Sequence, residues 1–462
     1  MSKICRLFFL FSAGFLLITG LASAQDSIYA RDHVWTDQDL AELAKPSTVP
    51  LPPGTEITTK NWEQYKGYMT LGMQTVFRGD RFYKILPEQK LVVGPTIPVP
   101  LPKLFLAATE KYAGQTSIVP APDIAPGAVT IKGYKGGVPF PNPKEPNLGE
   151  KIEYNSWFAY VPSVVHLNAD VFLVDKFHDK YVEVVDVVVG KTSFVTDPGY
   201  PEFNPQLPDV YKYTYTEVIL PEEARYTAAL DEWHSDPVKF TDLYAYVPAL
   251  RRVLRLSPAA VCAPVAGTDD LNDDNCTNVA NCQQAPLFET KYLGEKKVLA
   301  MVHLNQSAMK QNSDHTLPQE SFYSSDQEIA ATGFALPKPA AGSWELRDVY
   351  VVTLRRLPSL RQGYCNGTRL FYIDQETWHT VDADLWDAQQ KFWKNFTELF
   401  WTLPIPKTND VYFAGPLIGT VFDFQNYHTT EALEPGETND EAGKYNDTAR
   451  YATPGGLQQS NQ

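Results

Sequence analysis

Ala169-Asp170-Val171-Phe172-Leu173-Val174-Asp175, followed after His178-Asp179-Lys180 by Tyr181-Val182-Glu183-Val184-Val185-Asp186-Val187-Val188-Val189, is the stretch on which the fold turns. Both runs are rich in β-branched and aromatic residues, and polar residues bound them. They predict two consecutive antiparallel strands joined near His178. Working outward, similar runs recur at 211–220, 242–247, 251–256, 288–293, 297–304, 345–354 and 368–374. So many strands in succession, with no βαβ rhythm, predict a mainly β (α+β) protein. The expected architecture is a large curved antiparallel sheet, a half-barrel covered by helices.

Helices are expected around that array. Thr36 caps a short one to Leu43. Residues 61–76 set Trp62, Tyr65, Met69 and Met73 on one face, and 103–112 return to helix. Residues 386–401 read as an amphipathic helix with Trp386, Trp393, Phe396, Leu399 and Phe400 in its stripe. Residues 91–102 hold too much proline for a central strand, and 133–149 read as loop.

The N-terminus carries Lys3 and Arg6, an apolar run from Leu7 to Leu21, and Ala22-Ser23-Ala24. That is the secretory pattern, and the run is short for a bilayer span. Cys5 precedes the run, so it is not the lipidated first residue of a mature chain. The expectation is a signal peptide over 1–24 and a soluble periplasmic protein with no lipid anchor. One domain is expected over 25–432, with a polar, disordered tail over 433–462. The 55 acidic against 40 basic residues, net −15, argue against nucleic acid or anionic lipid headgroups as the main partner.

Four cysteines follow the leader: Cys262, Cys276, Cys282 and Cys365. An even number in an oxidising compartment points to disulfides. Short separation favours Cys276 with Cys282, leaving Cys262 with Cys365, although three connectivities stay open. Zinc is disfavoured, since no CxxC occurs and no histidine is near. Asp269, Asp270, Asn272, Asp273, Asp274 and Asn275 set oxygen ligands close together. Counted from Asp270, however, the sixth position is Asn275 and the twelfth Asn281, which breaks the calcium-loop pattern. A solvated acidic loop is expected, with no metal and no cofactor.

No G-x-S-x-G, H-E-x-x-H, P-loop or dinucleotide fingerprint is present. The carboxylates Asp374, Glu376, Asp382 and Asp384 around Trp378 and His379 read as a turn and the N-cap of the last helix, not as catalysts. A trough lined by aromatic side chains suits a hydrophobic ligand. Trp157, Phe172, Leu173, Tyr244, Tyr246, Tyr350, Phe371 and Tyr372 form the pool for its walls, of which alternation admits about half. Arg251 and Arg252, adjacent on a strand, fall on opposite faces, so one is expected near a headgroup.

Thr241-Asp242-Leu243-Tyr244-Ala245-Tyr246-Val247-Pro248-Ala249-Leu250-Arg251-Arg252-Val253-Leu254-Arg255 resembles the W-x-Y-x-P-x-x-R-R-V-R hairpin of DUF1329, a proteobacterial family described as outer-membrane lipoprotein-sorting-like. Collinear with it are Val138-Pro139-Phe140-Pro141 before Tyr154-Asn155, the acidic loop after Thr268, and Tyr292-Leu293-Gly294-Glu295-Lys296-Lys297. Trp344 to Val352 and Arg369 to Asp374 complete the likeness. Tyr244 replaces the usual tryptophan, Leu254 replaces an arginine, and the cysteines are additions of this chain. The resemblance implies a half-barrel similar to the LolA/LolB lipoprotein carriers. It also implies a non-enzymatic carrier for a lipid or other hydrophobic molecule. The expected associates are a resistance-nodulation-division type transporter and an outer-membrane protein. The alternative is a structural or assembly module with a filled core and no ligand.

Overall fold

The valine-rich hairpin forms as predicted. Val164–Val174 (β1) and Lys180–Lys191 (β2) pair antiparallel along their whole length, with Val174 opposite Lys180. The computed structural model describes residues 27–257, 261–265, 267–271, 285–305, 324–414, 419–433, 436–438 and 443–461. The leader, Cys276, Cys282 and 272–275 of the acidic loop lie outside them.

Beyond β2 the chain meanders through Val210–Leu220 (β3), Ala228–His234 (β4), Asp242–Val247 (β5) and Arg252–Arg255 (β6). It resumes at Phe288–Ala300 (β7), Glu345–Arg356 (β8), Asn366–Asp374 (β9), Thr380–Asp387 (β10) and Phe392–Glu398 (β11). Gly419–Asp423 (β12), His428–Leu433 (β13) and Gly436–Thr438 (β14) follow. All fourteen join one antiparallel sheet in the order β6-β5-β4-β3-β2-β1-β13-β12-β11-β10-β9-β8-β7, with β14 also paired to β1. Two meanders thus meet back to back where β1 pairs β13. The edge strands, β6 and β7, are neighbours in sequence.

Five helices matter below: Asp37–Leu43 (α1), Leu71–Arg78 (α2), Leu148–Trp157 (α3), Thr448–Tyr451 (α4) and Pro454–Leu457 (α5). The Thr36 cap forms, and Lys103–Lys111 is helical. The helix expected over 61–76 is broken, because Thr70 N-caps α2 and leaves only short turns before it.

Helix α3 shows how strongly the sheet rolls. The Thr290 side chain of β7 donates to Glu153, and a Cβ on Gly149 would stand 2.4 Å from the Thr290 carbonyl oxygen. At the helix's other end Phe158 packs on Tyr211 of β3 with ring centroids 5.2 Å apart. Laid flat, the nine strand spacings between β3 and β7 would cover about 43 Å. The helix between those contacts is about 14 Å long. The sheet therefore curls, without closing, towards the face that carries Thr290.

Three expectations are corrected. Residues 386–401 are not helical: β10 runs through Trp386 to Asp387, Gln390 turns with φ 60°, and β11 follows. The apparent stripe arose because alternating tryptophan and phenylalanine also meet a helical spacing, and cross-strand pairing decides the outcome. Residues 288–293 and 297–304 are parts of one strand through Ala300, with a register shift between Tyr292 and Gly294. The C-terminal residues are not a loose tail. Residues 443–461 carry α4 and α5, whose Tyr451, Ala452 and Leu457 are buried against β1–β5.

Candidate ligand-binding trough

Cross-strand register assigns every side chain to one of the two faces. Val352, Phe371, Ala383, Phe396, Val421, Thr430 and Leu173 form one continuous row of partners. Val352 shares its face with Leu354, which is opposite Thr290, so this row lies on the concave side. Tyr372, Asp382, Thr397, Thr420, Glu431 and Phe172 form the matching row on the outer side.

The predicted wall residues accordingly divide. Leu173, Tyr350 and Phe371 face inward, and Tyr350 stacks on Trp378 at 5.4 Å. Phe172, Tyr244, Tyr246 and Tyr372 face outward; the two β5 tyrosines lie with α4 and α5 in the outer core. Trp157 ends α3 and packs with Phe158 and Tyr211. Arg251 is in the β5–β6 turn with φ 49° rather than in a strand, and both it and Arg252 are exposed. Arg252 begins β6 opposite Val247 and so shares the concave face with Leu254, while Arg251 lies outside the strand.

The inner face has two characters. On β1 and β2 its Val165, Leu167, Ala169, Val185, Val187 and Val189 are buried in the same core as Phe371 and Ile373 of β9. On β3–β6 the row continues through Val218, Ala229, Leu243, Ala245 and Leu254, and these are only half-buried. The outer side of that wing is sealed by Tyr213, Tyr215, Leu230, Tyr451 and Leu457. An apolar strip therefore lies open on one side only.

At its deep end the strip turns polar. Lys191 of β2 is directly opposite Lys212 of β3, and Lys212 is opposite Trp233 of β4. One strand position away, Thr214 is opposite Asp231. Both lysines are buried, and the Lys212 ammonium lies 4.9 Å from the Trp233 ring centroid. Burial pushes Lys191 down to about 8 and Lys212 well below the usual lysine value, the latter helped by Lys191. Burial raises Asp231 to about 7 against the pull of Lys212. His379, whose Nε2–H donates to the Tyr160 carbonyl at 3.1 Å, is pushed by burial down to about 4.

Between β6 and β7, the described residues 261–265 and 267–271 lie against the concave side. Val261 and Cys262 pack on the inner core, and Cys262 is bonded to Cys365, just before β9. The Asp269 backbone N–H donates to the Thr430 hydroxyl at 2.8 Å, which in turn donates to its carboxylate at 2.8 Å. His428 bonds that carboxylate at 2.8 Å, and Lys394 donates to the Asp269 carbonyl. Asp269 thus holds this strap to the sheet. The Cys262–Cys365 pairing is the one left by the short-separation argument.

A family model for a protein of unknown function, DUF1329, matches residues 56–458. The chain belongs to the DUF1329 family. No curated protein matches it. Among solved structures, a domain from Vibrio parahaemolyticus named for outer membrane lipoprotein sorting is 12% identical, with TM-score 0.41, over 68% of this chain and 99% of that one. A DUF1329 protein from Desulfovibrio piger is 11% identical, with TM-score 0.42, over 66% and 98%. A LolA superfamily protein from Nitrosomonas europaea is 11% identical, with TM-score 0.35, over 63% and 94%.

In this DUF1329 chain Asp374, Asp382 and Asp384 hold structure together. Asp384 accepts from the Leu71 and Gly72 amides at 2.9 Å each, docking the N-terminus of α2, and from the Tyr372 hydroxyl at 3.1 Å. Asn395 donates to Asp382 at 2.7 Å and to Asp384 at 2.9 Å. Asp374 orders the β9–β10 turn by accepting from Thr377 N–H at 2.8 Å and Thr377 Oγ1 at 2.9 Å. Asp384 does cap a helix, but one far away in sequence. Among the described residues no group of His, Cys, Asp and Glu is placed to hold a metal, and no helix is long and apolar enough to cross a membrane. A polar cleft of about 440 Å³ lined by Arg31, Asp32, Asp387 and Lys391 lies by the β10–β11 turn, away from the strip.

Two buried acids set a pH dependence. Burial pushes Glu153 and Glu431 up to about 8, against an ordinary value of 4.5. The native state then binds protons more tightly than the unfolded chain between those values. The contribution of these two acids is complete below pH 4.5 and is lost as pH rises through about 8. Urea midpoints should decline from pH 5.5 to 8 by the equivalent of about 1 kcal/mol or more. Glu431→Gln should flatten that slope; an unchanged slope in the variant refutes the assignment.

Proposed function

We propose that this protein is a non-enzymatic carrier or binding protein for a lipid or other hydrophobic molecule. It works in the periplasm with an envelope transporter of the resistance-nodulation-division type and an outer-membrane partner. The observation that supports the reading is the half-buried inner strip of β3–β6, open on the concave side while its outer side is sealed. Covering such a strip with an apolar ligand gains roughly 25 cal/mol per Å² removed from water, so no covalent step is needed for useful affinity.

A second reading is an assembly module with no ligand. The buried valines of β1 and β2 against Phe371 and Ile373 favour it, because there the interior is filled by the protein itself. Native mass spectrometry of mature protein taken from its own periplasm, followed by solvent extraction, separates the two. A stoichiometric hydrophobic adduct, lost in Ala245→Glu, is the carrier result. A clean unliganded mass that stays clean after lipids are added back is the result expected of an assembly module.

A further inference from the structure

The polar end of the inner strip carries a ligand class. Two lysines directly opposite each other on neighbouring strands repel, and burying both raises the cost. Substituting buried charges with apolar residues of similar volume is commonly neutral or stabilising. The Trp233 ring and Asp231 offset part of that cost at Lys212.

The groups around them are mostly donors. Ammonium and indole N–H only donate, and the threonine hydroxyl can donate. Among the described residues Trp233 Nε1 and Thr214 Oγ1 have no hydrogen-bond partner, although Trp233 is 4% exposed and Thr214 8%. A buried donor without a partner costs about 1–3 kcal/mol. The nearby acceptors are few. Asp231 lies opposite Thr214, and the carboxylate of Asp197 already accepts from Tyr160 at 2.6 Å and from Ser163 N–H and Oγ at 2.7 and 2.9 Å. No carboxylate among the described residues comes within ion-pair distance of Lys191. By register, Lys191, Lys212, Thr214 and Trp233 all point to the concave side, where the half-buried row of Thr216, Ala229, Ala245 and Leu254 begins one step further along.

We infer that Lys191, Lys212, Thr214 and Trp233 form the headgroup end of the trough and receive the anionic head, carboxylate or phosphate, of an amphiphile whose apolar part lies along Val218, Ala229 and Ala245. The inference rests on the carrier reading and narrows it to acidic amphiphiles. It moves the headgroup from the exposed Arg251 and Arg252 to a buried pair on the adjoining strands. Oxygen acceptors placed there bond the indole and hydroxyl and offset the repulsion between the ammonium groups.

The test compares dodecyl phosphate, dodecanoate, dodecanol and inorganic phosphate by calorimetry on delipidated mature protein. Wild type should bind the two anionic amphiphiles about tenfold or more tighter than dodecanol, the worth of one charge-assisted hydrogen bond. The double variant Lys191→Met/Lys212→Met should melt at or above the wild-type temperature and bind dodecanol unchanged. It should lose the preference for charged heads. Should that variant not fold, Trp233→Phe removes a single N–H and should weaken only the anionic ligands, several-fold. Equal affinity for dodecanol and dodecyl phosphate in wild type, or a preference untouched by the variants, overturns the headgroup site while leaving the carrier standing. Binding of none of the amphiphiles overturns the carrier itself. Inorganic phosphate bound as tightly as dodecyl phosphate, and lost in the lysine variant, replaces the amphiphile with a free oxyanion.

Discussion

Arg347→Met should cost about 3–5 kcal/mol, a large part of the total stability of a domain. Arg347 is 3% exposed in its side chain and Asp374 1%, and the two meet at 2.7 Å through Nε. The same guanidinium donates to Glu376 at 2.8 Å and to the Ile97 carbonyl at 3.0 Å. It therefore ties β8, the β9–β10 turn and the segment before Lys103 to one point. Losing it strands a buried carboxylate whose remaining bonds come from its own turn. The double variant Arg347→Met/Asp374→Asn should recover most of the loss, because the unpaired charge goes with the second change. Urea unfolding followed by far-UV circular dichroism measures both. A loss below about 1 kcal/mol for the single variant would show that water reaches Asp374.

Removing the disulfide should have an effect of similar size. Cys262 and Cys365 are 103 residues apart, and closing so long a loop restricts the unfolded chain by about 2–5 kcal/mol. Cys262→Ser should lower the urea midpoint accordingly, and reduction of wild type should match it. The tether also limits geometry. Cys262 is seven positions beyond Arg255, the end of edge strand β6, a span of roughly 25 Å when extended. While the bond is intact, β6 cannot move further from the start of β9 than that span. Proteolysis of the 256–287 crossing should accelerate on reduction; equal rates in both states would show that Asp269 and its partners hold the strap alone.

The first hairpin was legible because β-branched residues fill both faces of β1 and β2. The sheet's extent was legible from the repetition of such runs. What escaped was whatever depends on a distant partner. Gln389, Gln390 and Lys391 are good helix formers, yet they make the β10–β11 turn, so a local reading ran a helix through two strands. Tyr451, Ala452 and Leu457 are few anchors in a polar stretch, and only their burial against β1–β5 reveals a docked end. Of the wall residues, alternation correctly warned that half would face away, but which half depended on the register from β1 to β13. Lys191 and Lys212 looked like ordinary charges at strand ends. One signal was available: Lys191 continues the row Val185, Val187, Val189, where a fourth apolar residue was due.

The back-to-back meanders also govern how the chain must fold. Within each meander, neighbouring strands are close in sequence and form early at low loop-closure cost. The seam is different: Val174 pairs with Thr429, so β1 waits for almost the entire chain before its second edge is covered. The outer cores cross between the halves: the one on β7–β10 takes in Trp35, Leu40 and Leu71 from the start of the chain, and the one on β1–β5 takes in Tyr451 and Leu457 from its end. Truncation before β13 leaves two sheets with bare edges and strips Tyr451 and Leu457 from the outer core of β1–β5. The last turn of synthesis is therefore the step that makes one sheet out of two.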